Sequence, residues 1–101
     1  MSAFREQTAG FAAAREQETR HARQVAATQL VCGINLDTTL SADAAAMWRL
    51  VWRLERAIER ERLRGLRRHW SYDLNRHIAL KQALDRLRAR LARVAVEQSL
   101  K

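Results

Sequence analysis

The side chains best equipped for chemistry in this sequence are arginines. Arg49, Arg53, Arg56, Arg60, Arg64 and Arg67 recur at spacings of 4, 3, 4, 4 and 3. At about 100° per residue on a helix, they fall within an arc of about 80°. A guanidinium is a planar, permanently charged fork that grips phosphate or carboxylate bidentately. A row of such forks with one sign is a candidate surface for an anionic partner. Contacts to phosphate would make that binding salt-dependent and weakly sequence-specific. Glu59 and Glu61 reach Arg62 and Arg64 at i,i+3, which softens the row without neutralising it. Arg86, Arg90 and Arg93 form a second, shorter basic face further along the chain.

The first row sits in an unusual stretch. Residues 47–70, MWRLVWRLERAIERERLRGLRRHW, hold eight arginines and three tryptophans. Trp48, Trp52 and Trp70 lie, with Leu63 and Leu66, on a stripe between the arginine row and the apolar side. The first expectation is that these tryptophans pack against the preceding helix, which has few large residues of its own. Two alternatives give them a role outside the chain: stacking on exposed bases, or a subunit interface, where Trp and Arg are enriched.

Other chemistry is thinly supported. Cys32 is the only cysteine, so no disulfide forms within the chain, and a small apolar residue near a helix end is the simplest reading. His69 and His77 are eight residues apart and His21 is remote, which does not suit a metal pair on one helix. Asp73 and His77, at i,i+4, read as a surface or first-turn pair. The run Arg64 to His69, RGLRRH, is similar in spacing to the arginine and histidine of HEPN-type ribonucleases. Gly65, however, stands where those enzymes commonly place a polar residue, and Arg15 to His21 has a similar spacing. No catalytic residue, metal or cofactor is assigned.

These residues need helices to position them. The chain has 101 residues, no proline and three glycines, too few turn formers for a strand-rich fold. The expected class is all-α, a single domain of three helices. Helix one covers 1–33 and is weakly apolar, with Gly33 ending it at C′. Helix two covers 42–68 with Ser41 as its cap, and helix three covers 72–97 with Ser71 as its cap. Helices two and three are expected as an antiparallel hairpin, with helix one packed across them or partly detached. The core should contain Leu50, Val51, Leu54, Ile58, Leu80, Leu84, Leu87 and Leu91. Leu80, Leu84, Leu87, Leu91 and Val94 make a heptad seam that could close on helix two or on a second copy. Leu80, Leu87 and Leu91 therefore join the three tryptophans as candidate interface residues, and a homo-oligomer is expected.

Charge narrows the partner. Residues 1–41 carry four positive and four negative side chains, residues 42–71 eight and four, and residues 72–101 seven and three. The whole net charge of +8 thus belongs to the last two helices. No run approaches the ~18 apolar residues of a membrane span. The start, MSAFREQTAGF, lacks the basic-then-apolar pattern of a secretory leader, so a cytoplasmic protein without a membrane partner is expected. The reading that follows is a non-enzymatic regulator binding nucleic acid, DNA or RNA, through the arginine row. The alternative is a self-associating helical adaptor that meets an acidic protein.

Overall fold

The computed structural model describes residues 2–100, most of them helical and none in a strand. Four helices follow in order: α1 (Ser2–Cys32), α2 (Leu36–Leu40), α3 (Ala44–Leu66) and α4 (Leu74–Ser99). The all-α class holds, but the count is four rather than three. The additional helix lies in the stretch between the first two long ones. Asn35 caps it, its side-chain oxygen accepting from the Thr38 amide at 2.9 Å, and Leu36 is fully buried beneath it. One capped turn thus drives a leucine into the core.

Both expected serine caps are displaced by two residues, each time to an aspartate. Asp43 caps α3, its Oδ1 accepting from the Ala46 amide at 2.8 Å. Asp73 caps α4, accepting from the Asn75 and Arg76 amides at 2.9 and 3.2 Å. An aspartate at this position both accepts the orphan amides and meets the positive end of the helix dipole. Ser41 instead closes the end of α2, and Ser71 lies in the turn before α4. Gly33 ends α1 as the sequence suggests, with φ 67° and its amide bonded to the Gln29 carbonyl at 2.9 Å. The break after α3 also falls where expected, but Gly65 does not make it. Arg68 takes the left-handed conformation at φ 51°. The His69 amide then closes on the Arg64 carbonyl at 2.9 Å and the Arg68 amide on the Gly65 carbonyl at 3.2 Å. Gly65 serves elsewhere: a Cβ there would lie 3.1 Å from the Tyr72 ring, so its bareness lets Tyr72 settle on the end of α3.

The core lies mainly between α3 and α4. Leu50, Val51 and Leu54 face Leu80, Leu84, Leu87 and Leu91, and Ile58 packs at the margin. Met47, Ala57, Ala79 and Ala83 join them, with Leu36 from α2 and Ala27 from α1. Contacts between the two helices run in opposite senses, Glu61 to Arg76 and Glu55 to Arg88. The leucine seam closes within the chain, so Leu80, Leu87 and Leu91 are internal and offer nothing to another subunit. α1 docks only through its C-terminal part, with Gln24, Ala27 and Thr28 buried; every residue from Phe4 to Arg20 is exposed. The radius of gyration, 16.6 Å, exceeds the roughly 13 Å of a compact 100-residue domain because this half of α1 projects.

Candidate nucleic-acid interface

α3 sorts its side chains sharply. Met47, Leu50, Val51, Leu54, Ala57 and Glu61 are buried, while Arg49, Arg53, Arg56, Arg60, Arg64 and Arg67 are all exposed. Among the described residues, only Arg64 of these six is paired with a carboxylate, Glu61 at 3.2 Å. Arg53 donates to the Cys32 carbonyl at 3.3 Å, and the Arg56 guanidinium lies 4.7 Å from the centre of the Trp52 ring.

The nearby carboxylates are engaged away from the row. Glu59 takes Arg62 through two hydrogen bonds, at 2.6 and 3.0 Å. Those bonds hold its carboxyl below the usual glutamate range. Glu55 pairs with Arg88 of α4 at 2.9 Å. Glu61 is buried at 1% side-chain exposure and meets Arg76 of α4 through both oxygens, at 2.9 and 3.1 Å. Arg76 also donates to the Ser71 carbonyl at 2.7 Å, which ties the turn to both helices. Glu55 and Glu59 are thus drawn toward arginines outside the row, and Glu61, which touches Arg64, is held through both oxygens by Arg76. The pairings across α3 and α4 are invisible to helical periodicity. One signal was present: Glu61 falls on the apolar arc of α3, where a charge needs a partner.

The second basic face is smaller than the sequence suggests. Arg86 is half-buried where α1 crosses α4, donating to His21 Nδ1 and to Gln24 Oε1, each at 2.8 Å. Because His21 Nδ1 accepts, its Nε2 carries the hydrogen that faces Asp37, at 3.0 Å. Arg86 is therefore a tie between helices. Only Arg90, half-buried, and Arg93, exposed, remain on that outer face.

The tryptophans do not pack on α1. Trp48 and Trp52 are each 58% exposed and Trp70 is 89% exposed, with Leu66 open beside them. α1 meets the core through Gln24, Ala27 and Thr28, with Val25, Val31 and Cys32 at the margin, and approaches the tryptophan stripe only where Val31 and Cys32 share a cleft with Trp52. Trp70 stacks on His69, ring centres 5.5 Å apart and 29° between planes. His69 Nδ1 is held by Ser71 Oγ at 2.7 Å. His77 turns to Tyr72, whose hydroxyl lies 3.0 Å from its Nδ1, rather than to Asp73.

Two clefts open along the arginine row. One, about 340 Å³, is lined by Val31, Cys32, Trp52, Arg53, Arg56 and Arg60. The other, about 290 Å³, is lined by Arg60, Leu63, Arg64, Arg67 and His69. They share Arg60. Burial pushes the Cys32 thiol above its ordinary value, against the pull of Arg53 and Arg60. Among the described residues no three His, Cys, Asp or Glu side chains gather as metal ligands, and no helix is long and apolar enough to cross a membrane. No protein-family model matches the sequence, and neither the curated proteins nor the solved structures contain a significant match.

Proposed function

We propose that this protein is a small, non-enzymatic cytoplasmic regulator that binds nucleic acid through the arginine row of α3, mostly by phosphate contacts. In this reading α3 and α4 form an antiparallel hairpin that presents the row, and α1 is a partly detached arm. One observation carries it: six exposed guanidinium groups share one face, and among the described residues only Arg64 meets a carboxylate, Glu61, which Arg76 holds through both oxygens. From Arg49 to Arg67 the row spans about 27 Å at 1.5 Å per residue, a length comparable to most of a turn of duplex.

The test is a titration of labelled DNA and RNA at several salt concentrations. Four to six phosphate contacts give a slope of log K against log salt of about −3 to −5. Replacing Arg53, Arg60 and Arg67 together with glutamine should make that slope shallower by about 2 to 3. The same change at Arg5, Arg15 and Arg20 should leave it alone. Failure to bind either nucleic acid at low salt rejects the proposal.

The second reading is a self-associating adaptor for an acidic protein, favoured by the open indoles and by Phe4 and Phe11 on the free part of α1. Arginine would then meet carboxylates of the partner. A monomer by light scattering that brings down no protein from its host rejects this reading. We put nucleic acid first because the row carries a single sign.

A further inference from the structure

Resting on the phosphate-binding reading above, we propose that the groove along α3 takes single-stranded nucleic acid, its phosphates on the arginine row and its bases stacked on Trp52 and Trp70.

The row supplies charge, but a duplex would satisfy charge alone. The indoles are what a duplex would not use. Its bases are already stacked on one another and present only their edges in the grooves. A single strand offers whole π-faces, and aromatic side chains beside a basic groove are the platform that holds them. Trp52 lies about 40° around the helix from Arg56, at the edge of the row. It lines the first cleft together with Arg53, Arg56 and Arg60. The Arg56 guanidinium already rests over its ring, so a base could extend the stack through either plane. At the far end, Trp70 lies against His69, which lines the second cleft with Arg60, Arg64 and Arg67. Each cleft therefore combines guanidinium groups with an aromatic plane in it or beside it, and Arg60 joins the two.

For reading a duplex by its edges the outward face of α3 offers arginine alone, which pairs with guanine. Between Ala44 and Leu66 there is no Asn, Gln, Ser or Thr, the neutral side chains that pair with adenine or bridge base edges. Stacking needs none of them and tolerates any base.

The experiment follows tryptophan fluorescence while the intact protein is titrated with oligo-dT, oligo-U and a duplex DNA, each of about 20 nucleotides, longer than the roughly 4–16 that single-strand modules cover. Single strands should quench the indoles and bind at least about tenfold tighter than the duplex. Trp52→Leu and Trp70→Leu should each weaken single-strand binding by about five- to a hundredfold, the range equivalent to one stacked base, and leave duplex binding unchanged. Both positions are exposed, so circular dichroism should show the helices intact in either variant. A preference between oligo-dT and oligo-U distinguishes DNA from RNA and supports the proposal either way. Equal, unquenched binding of duplex and single strand overturns it while leaving the phosphate reading standing. Loss of binding to all three overturns both, as does polyglutamate bound as tightly as oligo-dT, which would point to an acidic protein.

Discussion

The free half of α1 and the outer face of α3 use the same materials to opposite effect. Both expose arginines and aromatic rings to water. From Phe4 to Arg20, α1 carries Arg5, Arg15 and Arg20 against Glu6, Glu16 and Glu18, and Arg20 closes on Glu16 at 3.0 Å. Its charge is spent locally. α3 carries its acids to its flanks and buried side, where Arg62, Arg76 and Arg88 take them, and leaves the arginine row open except at Arg64, which shares Glu61. What separates a solvated helix from a candidate binding surface is therefore where the carboxylates go, rather than how many arginines there are. The two regions also differ in support: α3 lies on a leucine core, and the free half of α1 lies on nothing.

That difference in support gives the largest expected effect. An isolated helix of this length is marginal in water. Amides in the exposed half of α1 should therefore exchange with protection of about tenfold or less. Those of Leu50 to Ala57 should be protected by at least about a thousandfold, as global opening of a domain this size requires. Hydrogen exchange followed by mass spectrometry reads both at once. Comparable protection in the two regions would break the contrast and mean that a second copy or another partner covers the α1 arm.

Next in size is a pair of identical substitutions. Glu61→Gln leaves the Arg76 guanidinium, itself only 20% exposed, without its counter-charge. It should cost about 2–4 kcal/mol, read as a lower urea midpoint at unchanged slope. Glu16→Gln removes an exposed i,i+4 pair and should cost less than about 0.5 kcal/mol. Similar shifts at the two sites would mean that Arg76 finds water or another acceptor as readily as Arg20 does.

How much of this could be read beforehand depends on whether a feature belongs to one helix or to two. The apolar and basic arcs of α3 follow from a fixed angular step, so Leu50, Leu54 and the six arginines fall where periodicity puts them. Glu61 with Arg64 and Glu59 with Arg62 are neighbours on one helix and were legible for the same reason. Arg76 on Glu61, Arg88 on Glu55 and Arg86 on His21 join separate elements, and no spacing encodes them. The tryptophans went astray because a face of Gln24, Ala27 and Thr28 looks too weak to choose its own contact. Ala27 and Thr28 in fact allow close approach, Val25, Val31 and Cys32 add apolar contact, and α1 docks with the indoles left mostly exposed. At the caps, Ser41 and Ser71 were reasonable, but an aspartate two residues later answers both the orphan amides and the helix dipole.

The docked and free halves of α1 can be compared through one residue type. Thr28 is fully buried against the core, and its hydroxyl finds no hydrogen-bond partner among the described residues. Thr8 is exposed, and its hydroxyl donates to the Phe4 carbonyl at 2.9 Å. Valine keeps the shape of threonine and its β-branching, so helix propensity nearly cancels between the two sites. At position 28 it removes a polar group buried without compensation and should stabilise the protein by about 1 kcal/mol. That is worth about 4 °C or more in Tm for a chain of this size. At position 8 it removes a solvated hydroxyl from a helix that contributes little to the global transition, and Tm should move by less than about 1 °C. A gain at position 8 equal to that at position 28 would show that both halves of α1 are buried in solution. No gain at position 28 would mean that its hydroxyl turns to the carbonyl one turn back, and that α1 docks less tightly than its burial implies.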